Sequence, residues 1–150
     1  MFEIESKNPD EIIISTKTRT IKFNLADETI DADLEVGKIA GPGEFEIGEV
    51  AIRGITAGEK TIYDAAVGSV HVGIIGANEE AISLDELGVA DILCTSSVRA
   101  VREIDPKIVI AMGNVDGMVT ELKLSARTEK KLKVKSKESL PTTLEVVILT

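Results

Sequence analysis

Residues 41–75 read GPGEFEIGEVAIRGITAGEKTIYDAAVGSVHVGII. Short apolar or alternating runs rich in β-branched residues recur here between glycines, which is the pattern of strands joined by tight reversals. Strands are predicted at 44–47, 49–55, 60–66 and 69–75, the last two as a hairpin around Val67-Gly68, with Gly41-Pro42-Gly43 as a hard break. These pieces are too short and too evenly spaced for βαβ units, so the first half is expected to be mostly antiparallel sheet. Moving outward toward the N-terminus, 2–6, 11–15 and 19–24 read as an antiparallel meander. Asn8-Pro9-Asp10 and Thr16-Lys17 supply its turns. The acidic stretch Asp27 to Glu35 follows, then a strand candidate at 36–40.

Toward the C-terminus the character changes. Ser83 begins Ser83-Leu84-Asp85-Glu86-Leu87 as a helix N-cap residue and Gly88 ends it, enough for one or two helical turns. Asp91 to Thr95 reads as a buried strand. Val98, Val101 and Ile104 recur at helical spacing within 97–104, Asp105-Pro106 closes that helix, and Lys107 to Met112 is another continuous apolar strand. That is one short crossover. Met118 to Leu124 fits helix or strand, 131–135 (KLKVK) alternates like a half-exposed strand, and 144–149 closes the chain. There is no internal repeat or linker, so residues 1–150 are expected to form one domain.

Composition narrows the function classes. With 150 residues, 43% of them hydrophobic and 29% charged, the chain has the apolar material to bury a single core, and wholesale disorder is ruled out. No window approaches the roughly eighteen apolar residues of a membrane helix, and the start MFEIESKNPDE lacks a signal-peptide design, so a cytoplasmic protein without membrane attachment is expected. Cys94 is the single cysteine and His71 the single histidine. That excludes an internal disulfide and leaves little for zinc. The net charge of −9 opposes attraction to nucleic acid. Between Lys123 and Lys137, seven basic residues stand against the one acid Glu129. With aromatics at 3% and no Trp, that run has no stacking platform and is read as a solvated, charged strand with its flanks.

The acids Asp27, Glu28, Asp31, Asp33 and Glu35 are of the type that hard cations take, but counting from Asp31 puts Gly37 at position seven and Pro42 at twelve, out of step with a calcium loop. They are read as a solvated acidic turn. Gly41-Pro42-Gly43 is not a phosphate loop, since no Lys-Ser/Thr pair follows and Glu44 and Glu46 would repel phosphate. Cys94, Ser96 and Ser97 are nucleophile types with His71 alone as a base. Cys94 in an apolar strand is read as a small buried hydrophobe, and His71 as structural or exposed. Neighbours such as Glu79-Glu80 point apart too readily to work as an acid/base pair. No catalytic set assembles.

Two longer stretches carry a resemblance. The run Gly41-Pro42-Gly43-Glu44-Phe45-Glu46-Ile47-Gly48, continuing through Val50-Ala51-Ile52-Arg53-Gly54-Ile55 to Lys60-Thr61-Ile62-Tyr63, resembles the PGEYE-type segment and following hairpin of the small metallo-β-lactamase-fold hydrolases of prokaryotes. From His71 to Ile110, HVGIIG, LGVADIL and IDPKIVIAM follow in that family's order. Ser139-Leu140-Pro141 and Leu144 to Leu149 resemble its closing strand. The resemblance implies an α+β, αββα architecture: a reduced sandwich of two mixed β-sheets, strand-rich, with few and short helices.

At the family's metal-ligand positions this sequence departs. The H-x-H-x-D-H loop has no counterpart in Asn24 to Lys38, which contains no histidine. The G-D-x-x-H element is matched by Gly76-Ala77-Asn78-Glu79-Glu80, and the terminal P-M-H by Ala111-Met112-Gly113. The resemblance therefore implies a degenerate pseudoenzyme with no metal, no cofactor and no catalytic residues. Its vestigial cleft would be lined by Ala77, Asn78, Glu79, Glu80, Gly113 and Asn114, with Asp27, Asp31 and Asp33 as further acids. Missing helices are expected to leave an apolar sheet face or an open edge, hence a homodimer or a protein partner. Two rivals stand beside this reading: a module binding a small polar ligand or divalent cation in the cleft, and a hydrolase with a relocated, carboxylate-bound Mg²⁺ or Mn²⁺.

Overall fold

A computed structural model describes residues 1–32, 38–75, 84–85 and 87–150. In chain order its strands are β1 (Phe2–Glu5), β2 (Glu11–Ser15), β3 (Thr20–Asn24), β4 (Thr29–Asp31), β5 (Ile39–Ala40), β6 (Gly43–Ile47), β7 (Val50–Ala57), β8 (Lys60–Val67) and β9 (Val70–Ile74). Then come β10 (Ile92–Thr95), helix α1 (Val98–Ile104), β11 (Ile108–Ala111), helix α2 (Val115–Leu122), β12 (Ala126–Glu129), β13 (Leu132–Val134) and β14 (Glu145–Leu149).

Two sheets form from these elements. One has six strands in the order β13-β1-β2-β3-β4-β5, antiparallel throughout. The other has eight, β12-β14-β11-β10-β9-β8-β7-β6. Its β6 to β9 half is an antiparallel meander, and β9, β10, β11, β14 and β12 run parallel. Parallel neighbours need a crossover, and α1 supplies the one between β10 and β11. The expected strand-rich sandwich is therefore present, with the mixed pairing confined to the larger sheet.

Strand alternation builds the core. Ile12 and Ile14 of β2 point inward with Ile4, Ile21, Phe23 and Ile30, against Ile52, Ala65, Val72, Ile74, Ile92, Cys94 and Ile110 of the larger sheet. Phe23 meets Tyr63 across this layer with ring centroids 5.8 Å apart. A second apolar layer lies on the other face of the larger sheet, where Ala100, Val101 and Met118 of the helices cover Leu93, Val109 and Val146. Helix α1 is capped at both ends: the Ser97 hydroxyl accepts from the Ala100 N–H at 3.0 Å, and Asp105 closes it in the left-handed region.

Several expectations need correction. Residues 29–31, read as part of an acidic turn, form β4, and 126–129, left unassigned, form the edge strand β12. The ambiguous 118–124 segment is the helix Val115–Leu122. Of 83–87, the described Leu84 and Leu87 make a turn, with the Leu87 N–H donating to Leu84 O at 3.1 Å.

The smaller sheet carries no helix on its outer face among the described residues, yet that face is not apolar. Alternation places Glu3, Glu5, Glu11 and Lys22 there, with Lys131 3.6 Å from Glu3 and 3.7 Å from Glu5. Met1 and Val89 are the exposed large hydrophobics among the described residues. The bare apolar face expected from missing helices is thus replaced by a charged one, while among the described residues β6 and β12 leave open edges on the larger sheet.

Candidate functional site

The parallel strands β9, β10 and β11 end together, and the loops leaving them are where the resemblance puts a metal site. Ser96, Gly113 and Asn114 gather there. Gly113 has φ 79 and Asn114 φ 47, a left-handed pair that turns the chain from β11 into α2. The Asn114 amide donates to Ser96 O at 3.4 Å, and a Cβ built on Gly113 would lie 3.7 Å from the ring of Pro9 in the β1–β2 turn. Thr95 and Ser97 beside them are buried, with the Ser97 N–H on Thr95 Oγ1 at 3.0 Å. Ala77, Asn78, Glu79 and Glu80 of the predicted cleft, and Asp33 and Glu35 of the acidic run, lie outside the described residues.

The other predicted acids do not converge. Asp27, in the β3–β4 turn, accepts from the Thr29 N–H at 3.2 Å and from its hydroxyl at 2.5 Å. Asp31 stands at the far end of β4, in register with Lys22 on the outer face. Glu28 accepts from the Thr61 N–H and lies 3.8 Å from Lys60. Its carbonyl receives the Tyr63 hydroxyl at 2.6 Å, and burial pushes that phenol above its ordinary pKa. Each acid answers a local partner. Among the described residues no three His, Cys, Asp or Glu side chains lie close enough to hold a metal ion.

His71 sits elsewhere. It is the second residue of β9, and the register of 72 with 92 and 108 places it level with Asp91 and Lys107, six residues below Gly113 along the strands. At the rise of a β-strand that separation is about 20 Å. Its Nδ1 lies 3.1 Å from Asp64 Oδ2, and its N–H donates to Asp91 Oδ2 at 2.8 Å.

A groove that sequence reasoning missed surrounds His71. Cross-strand register sets two rows on the outer face of the larger sheet: Glu44, Arg53 and Asp64 in one, and Glu46, Ala51, Ala66 and His71 in the next. Together they line an open groove of about 620 Å³ beside the edge strand β6. Asp64, 5% exposed, is answered by His71 and by Arg53 at 3.6 Å, and Arg53 also donates to Leu87 O at 3.2 Å. The signal available in the sequence was a charged residue set within each of two neighbouring strands, Arg53 and Asp64. Pairing them required the hairpin register.

Comparison with known proteins adds one result. No model of a known family matches the chain, and no curated protein does. Among solved structures, it is similar to a proposed Zn-dependent hydrolase of the metallo-β-lactamase superfamily from Thermotoga maritima, with a TM-score of 0.75, 16% identity and 99% of each chain covered. At that identity the likeness establishes the fold.

Proposed function

We propose that this chain, built on a metallo-β-lactamase-like fold, is a metal-free and non-catalytic protein that works through protein contacts, as a homodimer or with a protein partner. The observation that carries the reading is the place of His71, the one histidine, about 20 Å along the strands from Gly113 and tied to Asp64. Hydrolytic zinc needs several imidazole, thiolate or carboxylate ligands around one ion, with a coordination position left for water. Gly113 brings no side chain to the family's last ligand position, and the Asn114 amide is spent on Ser96 O. These residues do not fit a zinc centre.

The interaction half of the reading draws support from the edges β6 and β12, whose outward N–H and C=O groups have no neighbouring strand among the described residues. An open edge is a template for a second chain.

The test is elemental mass spectrometry of protein purified without chelator or histidine tag, together with its mass in solution. Less than about a tenth of an equivalent of any transition metal and a dimer mass are expected. Near-stoichiometric zinc, manganese or iron would overturn the non-catalytic reading. A monomer at every concentration that captures no partner would overturn the interaction role.

A further inference from the structure

We propose that β12 is a self-complementary dimer edge. A second copy of this chain pairs with it antiparallel, Thr128 opposite the partner's Thr128, so that Arg127 meets the partner's Glu129 and Glu129 meets the partner's Arg127. This rests on the interaction role proposed above and names its surface; it does not depend on whether the chain holds metal.

Backbone parity decides which groups of β12 a second chain can reach. β12 is the outermost strand of the larger sheet and runs parallel to β14, with Arg127 level with Val147 and Glu129 level with Leu149. The Thr150 N–H donates to Glu129 O at 3.0 Å, so the main-chain groups of Glu129 face β14. N–H and C=O directions alternate residue by residue along a strand, which turns those of Arg127 the same way and those of Thr128 outward. Among the described residues no strand lies on that side. The side chains of Arg127, Thr128 and Glu129 are all exposed.

An antiparallel partner centred on Thr128 makes a hydrogen-bonded pair there, in which the two residues exchange both N–H···O bonds. One step to either side lie non-hydrogen-bonded pairs, where Cα atoms come within about 4.5 Å and side chains are closest. Those positions hold Arg127 and Glu129, and a two-fold axis sets each against the other's copy in the partner. Both project from one face of β12, where they already lie 3.7 Å apart, and Arg127 is also paired with Glu145. The dimer therefore closes a ring of alternating charges beside a Thr128 pair on the opposite face. Centring on Arg127 sets it against the partner's Arg127, and centring on Glu129 sets it against the partner's Glu129, so charge selects one register.

The other sheet edges lack this property. Self-pairing of β6 centred on Glu44, Phe45 or Glu46 opposes carboxylate to carboxylate, and that of β13, whose Lys133 shares a face with the flanking Lys131 and Lys135, opposes ammonium to ammonium. β5 is 2 residues long. Within the basic run, Lys131 is held by Glu3 and Glu5 and Lys137 by Asp91, which lowers the repulsion between two copies.

Sedimentation of the full chain across a concentration series tests this, with circular dichroism checking that each variant is folded. The parent is expected to be a dimer. R127E and E129R each place like charges across the two-fold axis, and each is expected to weaken dimerisation at least about tenfold. An equimolar mixture of the two is expected to associate as the parent does, because the heterodimer restores opposite charges at both contacts. Thr128→Pro removes an N–H that points away from β14 and is expected to give a folded monomer. A parent that stays monomeric to about 100 µM overturns the proposal. So does a dimer that survives R127E, E129R or T128P unchanged, and so does a mixture that fails to associate. A dimer indifferent to all three variants leaves the interaction role standing on another surface, whereas that role falls only with a monomer that captures no partner.

Discussion

At the scale of single residues, burial decides what chemistry a side chain keeps. Cys94 has the composition of a nucleophile and the position of a core residue: it is fully buried between Leu93 and Thr95 in β10, and burial pushes its thiol far above the ordinary range. The thiolate is the reactive form, so native protein is expected to leave Ellman's reagent unreacted at pH 8 and to release one equivalent of thiol on unfolding. Prompt native reaction would show that β10 opens or that Cys94 is not in the core. His71 presents the opposite case. The sequence marks it only as a histidine in an alternating strand, and its meaning comes from Asp64, seven residues earlier on the neighbouring strand. Glu49 shows the same dependence on a distant residue, since the Thr18 hydroxyl, 2.7 Å away, holds its carboxyl below the usual value.

At the scale of elements, Gly41-Pro42-Gly43 is explained by what crosses it. A Cβ on Gly54 of β7 would stand 2.5 Å from the Gly41 carbonyl oxygen and 3.3 Å from Pro42 Cα. The reversal into β6 is laid directly on β7, and only glycine at 54 leaves room for it. Gly54→Ala is expected to destabilise by about 1–3 kcal/mol, because the obstacle is backbone and cannot rotate aside. Gly58→Ala tests the cause: its Cβ would meet nothing within 4 Å, so its cost is confined to the left-handed φ of 67, about 1 kcal/mol. Urea unfolding curves compare the two. Equal losses would mean that the contact with Gly41 does not constrain β7. The strands missed from sequence, β4 and β12, belong to this scale too. Each is short and polar, Thr-Ile-Asp and Ala-Arg-Thr-Glu, and each becomes a strand by completing hydrogen bonds of a longer neighbour, β3 or β14.

At the scale of the whole molecule, the basic segment joins the two sheets. β12 pairs with β14 in the larger sheet, and two residues after its end β13 pairs with β1 in the smaller one. Leu132 and Val134 thereby enter the inter-sheet core at 5% and 2% exposure, while Lys131, Lys133 and Lys135 remain outside. Leu132→Ala is expected to cost about 2–5 kcal/mol, and Lys133→Ala within about 0.5 kcal/mol. A thermal melt shifted equally by both would contradict the placement of β13. By itself the sequence determined the positions of most strands, the α1 helix with its Ser97 cap, the burial of Cys94 and the presence of a single histidine, His71. These follow from periodicity, from local backbone chemistry and from residue identity, which are properties of neighbours along the chain. The tertiary structure alone decided that KLKVK crosses to the opposite sheet, that the smaller sheet faces water with charges, and that Arg53, Asp64 and His71 meet around one groove. Those depend on strand order and register, where a shift of a single residue turns every side chain to the other face, and no local pattern encodes that choice.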